Sequence, residues 1–559
     1  MMNVSKRIIL FVFTFFLLSQ SVFAQNDYYQ TTRRDTLRGI LTPLRTCYDV
    51  NFYNIDVRVD PEKKWIGGAV YIEFTATTDF NKMQIDLFNN MQIVEITHDF
   101  WKVDYTREFD AVFVEFSGMI EKGAKTGITV YYAGRPIEAK RPPWEGGVSW
   151  NLDSEGNPWV VVTSQGTGAS LWWPHKDHQS DEPDSVSINI TVPPGLTDVS
   201  NGRLRKVTTL DDGWQKFSWF VSYAINDYSI SFNIGKYEHF SDVYKGKEND
   251  LTLDYYVMPE NLEKAKVHFK SEVQPMHKYY EESFGEYPFI RDGYKLIEVP
   301  YWGMEHQSAV TYGNGYQKGT GGREMSIADT LYDFIIVHES AHEWFGNNIT
   351  SEDLADMWIH EGLGVYSEMV YLEKRWGKKW AIYSLEGKKR FVRNQIPVIG
   401  PKNVAKQGAS DMYPKGALLM NTLRHVVDND SLWWKTIYNL NYEFRYQVVT
   451  TEDIIKYFNN SLGKDYTPIF DQYLRYPSPP ILDLKFEESE SGLVVNYRWL
   501  VDVKNFQMPV KIMTEQDKFE FIYPTEEWKS ITLENISRKQ FAIASHLFYV
   551  RTKIKGEIN

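Results

Sequence analysis

The sequence is almost without cysteine, since Cys47 is the only one among 559 residues. A single thiol cannot close an intramolecular disulfide, and it excludes a metal site built from several thiolates. A chain of this length is expected to form two to four domains. Domains of that size bury enough apolar surface to be stable without disulfides.

Positive charge is also scarce. The chain has 61 Lys and Arg residues against 74 Asp and Glu residues, a net charge of −13, and no basic run. Binding to nucleic acid phosphates requires a basic surface, so no nucleic acid partner is expected. Aromatic residues reach 15%, which suits several apolar cores but does not identify a function.

Long apolar runs are absent except at the N-terminus. There, Lys6 and Arg7 precede the apolar residues 8–18, and small side chains lead up to Ala24. This run is too short to span a bilayer comfortably as a helix, and its pattern is that of a secretory signal peptide over 1–24. The alternative is an uncleaved anchor. We expect an exported protein, in the bacterial periplasm or outside the cell, without a stable membrane span after signal cleavage.

The spacing of apolar residues changes twice along the remaining chain. Residues 25–245 show apolar residues at every second position, which predicts a β-rich domain. Residues 246–476 are rich in helical patterns, predicted over 259–284, 326–347 and 352–374 and in several further segments. After a proline cluster, alternation returns in residues 477–559 and predicts a small β-domain of the sandwich type.

A metal-binding pattern lies on the second of these predicted helices. His338 and His342 are spaced as H-E-x-x-H, so both imidazoles share one helix face and can reach one ion. Glu361 follows nineteen residues after His342, in the centre of an apolar helix face where an unpaired carboxylate would be costly. Two histidines and one carboxylate leave a tetrahedral zinc ion one open position. We therefore predict a site for one Zn²⁺ ion.

Glu339 is the candidate general base. It is adjacent to a predicted ligand but rotated off the shared face, so it should not bind the metal. It can accept a proton from water as that water attacks a carbonyl carbon. These parts are those that amide hydrolysis needs.

Together these residues resemble a known family. The stretch from His338 to His342, followed by W-I-H-E-G around Glu361, is similar to the aminopeptidase N and leukotriene hydrolase family of zinc metallopeptidases, the gluzincins. The resemblance implies an α+β multidomain fold with an N-terminal β-saddle, a thermolysin-like α/β catalytic domain and a small C-terminal β-sandwich. It implies zinc as the cofactor and peptides as substrates.

The resemblance also implies substrate-binding residues. Gly303, Met304 and Glu305 stand where the family has its G-x-M-E-N motif, whose glutamate holds the free α-amino group of the substrate. His306 replaces the usual asparagine, which leaves strict aminopeptidase activity open. Gln165 resembles an N-terminal-domain residue that contacts the same amine, although Thr167 competes for that assignment.

One further residue comes from the resemblance. Tyr413, in the sequence M-Y-P-K-G-A, matches the family tyrosine whose phenol donates a hydrogen bond to the oxyanion of the tetrahedral intermediate.

Other clusters receive a structural interpretation. His175, His178 and Asp181 could form a second metal site, but they lie in a loop without helical or strand spacing, which favours surface or structural roles. His360 points about a quarter-turn away from Glu361 and is left out of the site.

The sequence thus predicts an enzyme that removes N-terminal residues from peptides through a water activated at zinc. Two alternatives stay open: a zinc endopeptidase or other zinc hydrolase of the same fold, and a catalytically silent peptide-binding relative.

Overall fold

The computed structural model describes residues 29–490 and 492–558. The predicted signal peptide, residues 1–24, lies outside the described residues. Within the described ranges, no helix combines the length and apolar character that crossing a bilayer would require.

The first part of the described chain is built almost entirely from strands. Two short helices, α1 (Arg33–Gly39) and α2 (Pro43–Thr46), come before them. The strands that follow are β1 (Tyr48–Asp60), β2 (Trp65–Ala76), β3 (Phe80–Asp86), β4 (Met91–His98), β5 (Trp101–Lys102), β6 (Asp104–Glu108), β7 (Ala111–Ile120), β8 (Lys125–Gly134), β9 (Gly147–Leu152), β10 (Pro158–Thr163), β11 (Ser185–Val192), β12 (Thr197–Ser200), β13 (Arg203–Thr209), β14 (Gln215–Val221) and β15 (Phe232–Gly235).

These strands form three sheets. The largest has the order β13-β14-β11-β1-β2-β8-β4-β5, the second β12-β15-β10-β9 and the third β3-β7-β6. Strand β1 pairs in parallel with β11 and antiparallel with β2. Its alternate residues Tyr53, Ile55 and Val57 are buried in one apolar core, as the period-two pattern predicts.

The central part begins with a mixed sheet and continues as helices. Its elements are β16 (Glu238–Lys245), β17 (Asp250–Val257), α3 (Leu262–Phe284), β18 (Tyr294–Glu298), β19 (Gly303–Met304), β20 (Val310–Tyr312), α4 (Phe334–Ala341), β21 (Ile349–Ser351), α5 (Trp358–Trp376), α6 (Lys378–Lys389), α7 (Met412–Val427), α8 (Asp430–Glu443), β22 (Gln447–Val449), α9 (Thr451–Leu462) and α10 (Thr467–Leu474). The sheet order is β16-β17-β18-β20-β19, so the short strand β19 is an edge.

The predicted boundary at residue 245 falls at the end of β16, which pairs with β17 across it. The domain boundaries stay predictions.

The single helix predicted over 326–347 is wrong, because the structure breaks this segment into separate helices. Ser326 does cap a helix, with Asp329 completing the capping box, but this is a 3₁₀-helix that ends at Leu331. A new helix, α4, begins after Asp333, whose carboxylate accepts hydrogen bonds from the amides of Ile335 and Ile336. The sequence pattern missed the break because apolar residues continue through it.

The helix predicted over 352–374 begins later than expected. A 3₁₀-turn, Leu354–Asp356, precedes α5, which starts at Trp358. By contrast, α3 matches its prediction closely and ends before Gly285, whose φ is 94°.

The last part of the described chain is again β-structure. Its strands are β23 (Ile481–Ser489), β24 (Gly492–Leu500), β25 (Val510–Glu515), β26 (Lys518–Ile522), β27 (Lys529–Leu533), β28 (Arg551–Ile554) and β29 (Glu557–Ile558). Five of them form a sheet in the order β27-β24-β23-β28-β29, and β25 pairs with β26. Their buried side chains continue the apolar core of the helical part.

Candidate active site

Helices α4 and α5 bring the three predicted metal ligands together. The Nε2 atoms of His338 and His342 lie 3.8 and 3.5 Å from Oε2 of Glu361. Ligands about 2.1 Å from a tetrahedral centre lie about 3.4 Å apart, so the separations suit one zinc ion. All three residues are buried, and among the described residues they form the one cluster of His, Cys, Asp or Glu with the compactness to hold a metal.

Both histidines have their second ring nitrogen occupied. Nδ1 of His338 lies 2.8 Å from Oε1 of Glu368, and Nδ1 of His342 lies 3.0 Å from the carbonyl oxygen of Phe345. Those oxygens are acceptors, so each Nδ1 carries the proton and donates it. The Nε2 lone pairs are then directed at the shared point with Glu361, the arrangement in which imidazole binds a metal.

Glu361 itself has one satisfied oxygen and one free oxygen. Its Oε1 accepts a hydrogen bond from the Gln165 amide at 2.9 Å. Its Oε2 is buried without a hydrogen-bond partner and is the atom that faces the two imidazoles. An orphaned carboxylate oxygen beside two imidazole lone pairs is satisfied by a divalent cation, so the residues present fit zinc.

A buried lysine completes the surroundings of His338. Glu368 accepts from His338 and also lies 2.9 Å from Nζ of Lys388, which projects from α6. The lysine compensates the charge of Glu368 and keeps the pKa of that carboxyl below its ordinary value. The sequence analysis missed both residues. Glu368 could have been found, because it lies seven residues after Glu361 on the same helix face.

We expect Lys388→Met to lower zinc affinity about 10- to 100-fold, because Glu368 would lose the cation that holds it ionised toward His338. Competition with a chromogenic chelator measures this. The matched control is Lys379→Met, which removes an exposed lysine from the same helix. Equal affinity in both variants would show that Lys388 does not support the metal site.

Glu339 lies in the cleft without a hydrogen bond or ion pair to any other described residue. Its side chain packs against Gly303 of β19, where an added Cβ would lie 3.1 Å from Cγ of Glu339. Burial, reinforced by the carboxylates of Glu305 and Glu361, raises the pKa of Glu339 well above its ordinary value. A carboxylate with this affinity for protons is suited to remove one from water.

Glu305 forms a second polar centre beside the metal cluster. Its Oε1 accepts from the Gln165 amide at 2.5 Å and from the hydroxyl of Tyr228 at 3.2 Å. Gln165 therefore bridges Glu305 and Glu361, which places it in the site as predicted from the resemblance. Tyr228 was not anticipated, and nothing in its sequence surroundings distinguishes it from the other tyrosines.

Tyr413 enters the cleft from the first turn of α7. Its ring stacks on His338 at a centroid distance of 6.4 Å, and its hydroxyl interacts with Glu361. Helices α5 and α7 make backbone contact nearby, since a Cβ on Gly416 would lie 2.6 Å from Cα of Gly362. The close crossing brings the Tyr413 hydroxyl to the metal cluster.

These residues line one cavity of about 350 Å³. The remaining wall combines apolar side chains, among them Trp144, Trp302, Phe334 and Phe391, with the basic side chains of Lys388 and Arg393. A space of this size holds a few amino acid residues of a ligand.

The cleft is rich in carboxyl groups. Glu305, Glu339 and Glu361 are all buried, and none of them pairs with a lysine or arginine of the described chain. Buried carboxylates without compensation are costly, so the cleft is built for positively charged occupants. The cleft has two separate positions that suit a cation. The histidine cluster suits a metal ion, and Glu305 suits an organic cation.

Several sequence candidates lie outside the cleft. Oγ1 of Thr167 accepts from the amide of Gly146, so Thr167 does not replace Gln165. His175 stacks on Trp173 in the N-terminal core, and Lys176 pairs with Asp181. His175, Lys176 and Asp181 are thus buried and His178 is half-buried, so the cluster does not lie on the surface; its structural role stays a prediction.

The two other histidines near the site, His306 and His360, form no hydrogen bond or ion pair with the three ligand side chains among the described residues; Nδ1 of His360 lies 3.3 Å from the Tyr228 hydroxyl. His360 accepts a hydrogen bond from the amide of Ser351 through Nε2, which agrees with leaving it out. His306 is buried, and burial lowers its pKa to about 3, so it is neutral and adds no charge next to Glu305.

The chain is similar to known zinc peptidases. Residues 269–473 match the model of the Peptidase family M1 domain. Human endoplasmic reticulum aminopeptidase 1 is 24% identical over 323 residues, which cover 54% of this chain and 33% of the relative. Tricorn protease-interacting factor F2 of Thermoplasma volcanium is 21% identical over 402 residues, which cover 66% of this chain and 48% of the relative. The chain thus spans less than half the length of these relatives, and the resemblance noted in the sequence is confirmed.

A solved structure has the same fold. A mutant M1 zinc metallopeptidase from Deinococcus radiodurans, bound to a Tyr-Ser-Ala substrate, matches with a TM-score of 0.64 at 18% identity, covering 77% of this chain and 94% of that one. At this identity the likeness concerns the fold alone. It confirms the predicted α+β multidomain class.

Proposed function

We propose that this chain, which contains a Peptidase family M1 domain, is a zinc aminopeptidase that hydrolyses the N-terminal peptide bond of peptides. One observation carries the proposal: an imidazole pair and three uncompensated carboxylates share one cleft, which suits a metal ion and a substrate ammonium group side by side. Names of the similar proteins point the same way, since several of them are aminopeptidases.

Glu305 binds the amino group of the substrate. Its carboxylate pairs with the ammonium group, while Gln165 and Tyr228 hold it in place by donating hydrogen bonds. This fixes the N-terminus of the peptide, so that the first peptide bond lies over the histidine cluster. An acylated N-terminus offers no cation to Glu305, so we expect the enzyme to require a free amine.

Glu339 transfers the proton, and Tyr413 stabilises the tetrahedral intermediate. One Zn²⁺ ion held by His338, His342 and Glu361 would polarise the substrate carbonyl and make water more acidic. Glu339 takes the proton from the attacking water and delivers it to the leaving amine. The Tyr413 hydroxyl donates a hydrogen bond to the developing oxyanion.

We expect Glu305→Gln to lower kcat/KM for aminoacyl chromogenic substrates about 30- to 1,000-fold, because an amide cannot pair with the ammonium group. The test compares alanyl and N-acetylalanyl substrates in the native protein and in the variant. Native protein should cleave only the free-amine substrate. Equal cleavage of both substrates by the native protein would favour an endopeptidase instead.

The site of action is also a proposal. The charged start, apolar run and small residues of positions 1–24 support export to the periplasm or the cell exterior. N-terminal sequencing of protein from the producing cell should begin at Gln25, and a mature chain that keeps Met1 would contradict export by cleavage.

A further inference from the structure

The edge strand β19 leaves one residue's backbone free to pair with a ligand. The Trp302 carbonyl accepts from the amide of Gly313, inside the sheet, and the Tyr312 carbonyl opposite Gly303 accepts from Val299 on the other side. Because hydrogen-bonding groups alternate along antiparallel strands, the N–H and C=O of Gly303 face away from the sheet. They point into the cleft, where an extended peptide can add as a strand.

The direction of such a peptide follows from the charges. Its ammonium group belongs at Glu305, beyond the carboxyl end of β19, and the chain past Glu305 is closed because His306 and Gln307 are buried. The peptide therefore runs back along the strand, past Gly303 toward Trp302. At about 3.4 Å per residue, the three steps from Glu305 back to Trp302 span about 10 Å, the length of an extended tripeptide.

Two indole rings stand where the third residue would lie. The rings of Trp144 and Trp302 meet edge to face at a centroid distance of 5.8 Å, and Phe334 lies 6.4 Å beyond Trp302. Trp144 is 55% exposed although it lines the cleft, so its ring is available to a ligand. A half-exposed indole ring has apolar surface that an apolar side chain of a ligand can cover.

We propose that this aromatic clamp (Trp144 and Trp302) selects peptides of three or more residues with an aromatic or large apolar side chain at the third position. The proposal rests on the proposed aminopeptidase function, because it uses the same anchored N-terminus. The clamp adds a preference for the third residue of the peptide, which is the second residue after the cleaved bond. Glu305 and the metal cluster cannot supply this preference.

The test compares two tripeptides that share the cleaved bond, Ala-Gly-Phe and Ala-Gly-Gly, by the rate of alanine release. In native protein kcat/KM for Ala-Gly-Phe should be about tenfold higher, the scale of one favourable aromatic contact. Trp144→Ala should reduce this ratio to about threefold, and Trp144→Ala with Trp302→Ala should bring it close to one. Trp144 is largely exposed, so the single variant should fold even where the double variant does not.

The control is Trp101→Ala, which removes a tryptophan that is 79% exposed at a hairpin of the N-terminal sheet, outside the cleft. Its ratio should equal that of the native protein. A native ratio near one, or an unchanged ratio in Trp144→Ala, would overturn the clamp.

A binding measurement separates this proposal from the proposed function. Calorimetry with zinc-loaded Glu339→Gln protein should show tighter binding of Ala-Gly-Phe than of Ala-Gly-Gly, again by about tenfold. If the native protein released no alanine from either peptide but the binding preference remained, the aminopeptidase proposal would fail and the clamp would stand. Equal binding of the two peptides would reject the clamp whatever the activity.

Discussion

Glu339→Gln is expected to lower kcat by about 10³-fold or more while zinc stays bound. The amide has nearly the shape of the carboxylate, so the packing against Gly303 is kept, but it cannot accept the proton of the attacking water. Alanine release from a dipeptide measures kcat, and metal analysis of the dialysed protein measures zinc.

The control for this variant is Glu263→Gln, which changes an exposed glutamate at the start of α3 that pairs only with Lys266. It should retain native kcat and native zinc content. Substantial turnover in Glu339→Gln would mean that another group takes the proton, and Glu339 would lose its assignment as the base.

Removal of zinc should abolish turnover and also destabilise the fold. The metal cluster joins α4 and α5, and Oε2 of Glu361 has no hydrogen-bond partner among the described residues. At a zinc concentration 1,000-fold above Kd, binding stabilises the native state by about 4 kcal/mol. We expect chelation to lower the melting temperature, and zinc add-back to restore both stability and activity.

Glu361→Gln tests the same site without a chelator. The neutral amide is a poorer ligand, so zinc affinity and activity should fall together, and excess zinc should recover part of the activity. Glu263→Gln again serves as the control. If the chelated native protein kept its melting temperature and its activity, the cluster of His338, His342 and Glu361 would not be a functional zinc site.

The metal cluster could be predicted from the sequence because the pattern that indicates it is local. The spacing of His338 and His342 sets one helix face, and Glu361 stands out as an acid within an apolar stripe. The structure brings these residues together as that pattern implies. The same reasoning, extended by two helical turns, would have included Glu368.

The substrate side of the cleft could not be predicted in the same way. Trp144 and Trp302 are 158 positions apart, and Tyr228, in a 3₁₀-turn (Asp227–Ser229), meets Glu305 from 77 positions away, so no periodicity relates them. The break before α4 was missed for another reason: the cap at Asp333 interrupts a segment whose apolar pattern continues unchanged. Long-range contacts are decided by tertiary structure, whereas the cap at Asp333 is a local signal that the apolar pattern obscured.

The crossing of α5 and α7 has a consequence for how the cleft tolerates change. Gly362 follows Glu361 directly, and Gly416 lies three residues after Tyr413, so the contact between the two glycines sets the gap between a predicted metal ligand and the phenol opposite it. A methyl group on either glycine would force the two helices apart. Two positions without any reactive atom thus govern the alignment of the reacting ones.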